Sequence, residues 1–133
     1  MSEKHVLDRH LQRAANGEVE QDIEENYAAE AVILAAGGAH GVPRRYQGSD
    51  GVRRLREELA SSIGPDARVE IQTKLVDGEM ALIRWTAHGS RGRVVDGVDS
   101  FLIRDGRIHG QTINYTVGSA NGSANEDPWE LAE

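Results

Sequence analysis

The chain has 133 residues, the length of one domain, and carries 15 Lys and Arg against 22 Asp and Glu for a formal net charge of −7. The acidic balance and a small aromatic complement of 2 Trp, 3 Tyr and 1 Phe argue against a nucleic-acid groove or an anionic membrane surface and for a small or neutral partner. Zero Cys removes disulfides, thiolate nucleophiles and Cys-based zinc sites, and is compatible with the reducing cytoplasm in which the protein is expected.

The opening residues, Met1-Ser2-Glu3-Lys4-His5, are charged and lead into no apolar run, so no signal peptide is expected. Val6/Leu7, Leu11 and Ala14/Ala15 recur at three to four residues, which predicts a first helix from Glu3 to Ala15 ended by Asn16-Gly17. Val19, Ile23 and Tyr27 form a second helical stripe, with Glu18, Glu20 and Asp22 placed to complement the helix dipole. A short strand, Ala31 to Leu34, follows. The longest apolar run, Ala28 to Ala36, is broken by Glu30 and falls well short of the ~20 residues that a membrane-spanning helix needs. The third helix is expected to be capped by Ser49, to bury Val52, Leu55, Leu59 and Ile63, and to stop at Gly64-Pro65.

From Arg68 the period changes to two. Val69, Ile71, Thr73 and Leu75 alternate with Glu70, Gln72 and Lys74 as in a half-buried strand. Asp77-Gly78 and Asp105-Gly106 supply the positive φ angles of tight hairpins, and Gly89 to Gly92 makes a middle turn. Residues 79–88, 93–104 and 107–117 are the strands these turns join, so a four-stranded meander is predicted. Helices first and an antiparallel sheet afterwards indicate α+β. Residues 118–133, which begin GSANGSAN and continue through Glu126-Asp127, read as a flexible tail on a domain of residues 1–117. Trp129 and Leu131 are candidates to dock on the body or on a neighbouring subunit, and a plain floppy end is the alternative reading.

The order of elements, the segment Tyr27-Ala28-Ala29-Glu30-Ala31, the loop Tyr46-Gln47-Gly48-Ser49-Asp50-Gly51-Val52 and the run from Asp99 through Phe101-Leu102-Ile103-Arg104-Asp105-Gly106-Arg107-Ile108 resemble the SnoaL-like branch of the nuclear-transport-factor-2-like superfamily. The resemblance covers roughly residues 5 to 117. It implies a cone-shaped fold, three N-terminal helices packed on a curved, mainly antiparallel sheet, with an apolar pocket at the open end. Its members include ketosteroid isomerases, polyketide cyclases, limonene-epoxide hydrolases and dehydratases, besides many proteins with no known activity, and an activity of this kind is expected to need no cofactor. Fold alone does not choose among these. The ketosteroid isomerase base would fall at Ala35 or Ala36, and the acid/base aspartate of cyclases and epoxide hydrolases at Ile113, beside Gln111; none of these is acidic. The oxyanion-hole aspartate falls on Asp99, which is present.

Asp99 is therefore the candidate catalytic acid or hydrogen-bond donor. The bland alternative is a strut paired with Arg84 or Arg93. Tyr27, Arg84, Phe101, Gln111, Ile113 and Tyr115 are candidates for contacting a ligand. By strand alternation Phe101 and Ile103 share the face of Asp99, while His109, Gln111, Ile113 and Tyr115 share a face on the last strand. On the strand from Glu79 to His88, hydrophobicity favours Ile83, Trp85 and Ala87 for the inside. Arg84 is either Asp99's partner or a surface residue whose stem covers the sheet. His40, in the glycine-rich loop 37–41, is a candidate base or an exposed loop histidine. No histidine pair has metal-ligand spacing on one helix face; His5 and His10 are five apart. Two functions remain open: a cofactor-independent isomerase, cyclase or hydrolase acting on a small hydrophobic oxygenated molecule, or a non-catalytic hydrophobic-ligand-binding or dimerisation module. A homodimer is expected in either case, because an open curved sheet leaves apolar positions on its outer face.

Overall fold

Ser2 starts the first helix by accepting the His5 amide on its hydroxyl at 3.1 Å. This helix, α1, spans Glu3–Ala15, and the left-handed backbone of Gly17 turns the chain out of it. The computed structural model describes residues 2–38 and 42–120; in it α2 (Val19–Asn26) follows at once. Tyr27 does not extend the helical stripe. Its backbone is extended, and it opens β1 (Tyr27–Gly37), which is longer at both ends than the expected strand over residues 31–34. β2 (Arg44–Gln47) is too short and polar to show a period in sequence, and only Tyr46 of it is buried. It feeds directly into α3 (Gly48–Ile63), with Gly48 at φ 68° making the turn. Gln47 therefore occupies the cap position, and Ser49 lies within the helix instead of capping it.

The predicted meander is present as β3 (Arg68–Asp77), β4 (Met80–His88), β5 (Arg93–Arg104) and β6 (Arg107–Tyr115). The whole sheet has six strands in the order β2-β1-β6-β5-β4-β3, antiparallel except where β1 runs parallel to β6. The helices cover one face. Val6 and Leu7 of α1, Val52, Leu55 and Ile63 of α3, and Ile33, Ile83, Phe101, Ile103 and Ile108 of the sheet form a single buried core.

Register shifts in β1, β3, β5 and β6 reset which residues face that core. In β3 the register shifts between Ile71 and Thr73, so Ile71 stands opposite Trp85 but Leu75 stands opposite Leu82 on the outer face. Val69, Ile71, Thr73 and Leu75 thus do not share one face, and β3, paired on one side only, is mostly exposed and not half-buried. In β5 the shift lies where Ala87 pairs with Val94 and Trp85 with Gly97. In β6, Ile108 and Gly110 face Ile103 and Leu102, which makes His109 the extra residue. His109 consequently leaves the face of Gln111, Ile113 and Tyr115 and contacts the Arg104 carbonyl at 3.1 Å.

Past β6, Gly118 still pairs with Arg93 and the Ala120 carbonyl contacts His88, so the start of the expected tail lies against the sheet. His40, Trp129 and Leu131 lie outside the described residues. Among the described residues no helix is long and apolar enough to cross a membrane.

Candidate functional site

Between the helices and the inner face of the sheet lies a cavity of ≈ 370 Å³. Its walls are mostly apolar: Leu11 and Ala14 of α1, Leu55, Leu59 and Ile63 of α3, and Val69, Ile71, Ile83 and Ile113 of the sheet. The exposed Gly17 and Pro65 also line it, so it opens at that end. Its polar side chains are His10, Arg56, Trp85, Asp99 and Gln111. Few convergent polar groups in an apolar concavity of this size are the usual make-up of a small-molecule site.

Asp99 stands at the centre of one polar chain. Strand alternation turns it inward together with Gly97, Phe101 and Ile103, and it is only 5% exposed. One carboxylate oxygen accepts the Trp85 indole N–H at 2.8 Å and the other accepts the Gln111 amide at 2.9 Å. The Gln111 oxygen in turn accepts the Tyr27 hydroxyl at 2.5 Å. Each of these donors is neutral. Burial raises the Asp99 carboxyl to about 6, against the smaller lowering effects of the Trp85 and Gln111 hydrogen bonds and of His10 and Arg56 nearby. Tyr27 is likewise raised by burial, which keeps its phenol protonated as the donor.

The seven residues singled out by sequence are placed unequally. Asp99, Gln111 and Ile113 line the cavity, and Tyr27 is tied to it through Gln111. Tyr115 packs against Trp85 at 6.0 Å and Phe101 against His10 at 5.4 Å, both buried behind the lining. Arg84 belongs to the outer face, because Ile83 and Trp85 on either side of it point inward. Asp99 is therefore held by Trp85 and Gln111, not by the Arg84 or Arg93 considered as its partners.

A second polar cluster was not anticipated. Asp22 of α2, fully buried, contacts His10 Nδ1 at 2.9 Å and accepts the Asn26 amide at 2.8 Å and the Arg56 guanidinium. Burial pushes the Asp22 carboxyl up, but the hydrogen bond and charge of His10, the charge of Arg56 and the Asn26 hydrogen bond outweigh it and hold the group below the usual range. Asp22 is thus not merely a dipole-complementing surface acid. The signal lay in the helical period: His10 follows Val6 by four residues, Asp22 follows Val19 by three and Arg56 follows Val52 by four, which puts a polar residue on the apolar stripe of each helix. No group of three His, Cys, Asp or Glu among the described residues is placed to hold a metal ion.

A family model described as a SnoaL-like domain matches residues 7–110. Among solved structures, IdmH of Streptomyces antibioticus, described as a candidate polyketide cyclase, is 18% identical, with 86% of this chain and 92% of that one covered and a TM-score of 0.67. A candidate ketosteroid isomerase from Kribbella flavida is 14% identical over 98% and 90% of the two chains, with a TM-score of 0.68. A nuclear-transport-factor-2-like protein of unknown function from Burkholderia xenovorans is 15% identical over 98% and 94%, with a TM-score of 0.65. At such identities the likeness is one of fold: three helices on a six-stranded, mostly antiparallel sheet. No curated protein matches the chain.

Proposed function

The chain belongs to the SnoaL-like domain family, and from that premise we propose that it is a cofactor-independent acid–base enzyme acting on a small hydrophobic oxygenated molecule of polyketide, steroid or terpenoid type. The observation that carries the reading is the setting of Asp99: a carboxyl on the wall of an apolar cavity, bonded through both oxygens to neutral donors. A structural ion pair would hold the group ionised; this arrangement raises it to about 6. A ligand that fills the cavity displaces water and favours the protonated acid further, so that Asp99 donates to a ligand oxygen as charge develops there. Tyr27 and Gln111 keep the carboxyl in place, while Ile113 and the other apolar walls hold the carbon skeleton. The names given to the fold relatives, a polyketide cyclase and a ketosteroid isomerase, agree with that ligand class. The protein is further proposed to act as a homodimer through the outer face of its sheet.

The test is the pH dependence of binding of 2-acetonaphthone, an apolar ketone that can only accept a hydrogen bond, followed by calorimetry. Protonated Asp99 donates to the ketone and ionised Asp99 cannot, so affinity is expected to fall up to tenfold per pH unit above about 6. Asp99→Asn should bind with a flat pH profile. Affinity that is independent of pH in the wild type, or that rises with pH, contradicts the reading.

A further inference from the structure

The cavity holds a second chemically competent group, and we infer that His10 is the general base of this site, set in one tautomer by Asp22. The inference rests on the reading of the cavity as an acid–base site and names the half of the machinery that the sequence lacks at residues 35, 36 and 113. His10 is 4% exposed, lines the same cavity as Asp99, and is fixed edge-on to Tyr27 and Phe101 at ring distances of 5.6 and 5.4 Å. Its Nδ1 contacts both oxygens of Asp22, at 3.0 and 2.9 Å. Asp22 is also engaged by Arg56 from α3 and by Asn26 from its own helix, contacts suited to a carboxylate that stays ionised. An ionised carboxylate only accepts hydrogen bonds. The Nδ1 of neutral His10 must therefore carry the hydrogen, which leaves the lone pair on Nε2, and Nε2 has no hydrogen-bond partner among the described residues.

In a packed core both ring nitrogens of a histidine are usually hydrogen-bonded, and His10 Nε2 is not among the buried atoms left without a partner, as suits a nitrogen that borders the cavity. Here one nitrogen is held by a carboxylate that three helices combine to secure, and the other is left as an acceptor on a ring that lines the cavity. The groups facing the ring are Asp22 of α2, Arg56 of α3 through Asp22, Tyr27 of β1 and Asp99 of β5. A carbonyl compound seated between His10 and Asp99 can then enolise. Nε2 takes a proton from the carbon next to the carbonyl, the C–H electron pair becomes the C=C bond, and the carbonyl π pair moves onto oxygen, which receives the proton or hydrogen bond of Asp99. Return of the proton from Nε2 to another carbon of the conjugated system gives an isomer with no other reactant consumed. Asp22 touches no substrate in this scheme and is a positioning residue.

The base can be tested without the natural substrate by using 5-nitrobenzisoxazole, whose C–H proton is removed by a base as its N–O bond breaks to give a coloured cyanophenolate. The wild type should convert it faster than the same concentration of free imidazole. His10→Asn places an amide nitrogen where Nδ1 was, keeps the bond to Asp22 and deletes Nε2; it should lose roughly a hundredfold in rate, the scale of one positioned base. In ¹⁵N-labelled protein the His10 ring shifts should report the Nδ1–H tautomer, and Asp22→Asn should shift the population toward Nε2–H. A wild-type rate no better than imidazole, a His10→Asn variant that keeps the rate, or an Nε2–H tautomer in the wild type each overturns the inference. If the cavity reading itself is wrong, 2-acetonaphthone fails to bind the wild type; if only the base is misassigned, ketone binding survives while His10→Asn stays active.

Discussion

Burial acts on Asp22 and Asp99 alike, and the charge of their neighbours separates them. Asp22 meets Arg56 and the His10 N–H, and its carboxyl lies below the ordinary range; Asp99 meets an indole and an amide and rises to about 6. The two shifts have opposite signs in stability. A depressed carboxyl stabilises the fold above the unfolded-state value and loses that contribution as pH falls, whereas a raised one costs stability once pH climbs from the unfolded value through about 6. For Asp99 that cost amounts to about 3 kcal/mol at full ionisation. Denaturant unfolding of Asp99→Asn should therefore move by about 2 kcal/mol in the variant's favour, relative to wild type, between about pH 4 and pH 8. Asp22→Asn should instead lose about 3 kcal/mol near pH 7, because it leaves Arg56 partly buried opposite a neutral amide. Asp99 was legible in the sequence because the family resemblance places an aspartate at that position of the strand over residues 93–104. His10, Asp22 and Arg56 each interrupt the apolar stripe of a helix, but their meeting was not legible, because only the packing of three helices brings them together.

At the level of elements, the strands of the meander and the first and third helices could be read from period and turn dipeptides, and the bulges could not. An extra residue at a bulge does not alter local composition, yet it moves His109 off the face of Gln111 and moves Thr73 and Leu75 to the outside. Parallel pairing of β1 with β6 was also invisible, since nothing in the 27–37 segment specifies a partner so far along the chain. One glycine matters directly to the site. Gly97 stands opposite Trp85, and a Cβ there would lie 2.3 Å from the indole ring. The missing side chain lets the ring lie flat over β5 and present its N–H to Asp99 two residues further on. Gly97→Ala should displace the indole, break that hydrogen bond and cost about 1–3 kcal/mol as overpacking. Near-UV circular dichroism and denaturant unfolding would register the change; a variant unchanged in both would contradict this role for Gly97.

Across the whole molecule, the inner face of the sheet closes on the helices and the cavity, and the outer face is left open. Cross-strand pairing aligns Leu34, Thr112, Ser100, Leu82 and Leu75 in one row across five strands, and Leu34, Leu75 and Leu82 are exposed. A second copy packed on this row is the expected cover. Sedimentation should give a dimer for the wild type and a monomer for Leu82→Arg with ketone binding retained; a monomeric wild type would contradict it. The fold class could be read from the order of elements, but the cavity is a property of assembled faces, which apolar counts alone do not specify. Everything proposed for the cavity depends on Asp99 being a titrating acid within it and not an ion-paired strut. The most direct measurement is the ¹³C titration of the Asp99 carboxyl carbon by nuclear magnetic resonance. A midpoint near 6, moving upward when 2-acetonaphthone fills the cavity, is the predicted result. A midpoint at or below the ordinary 3.8, unmoved by the ketone, would contradict it.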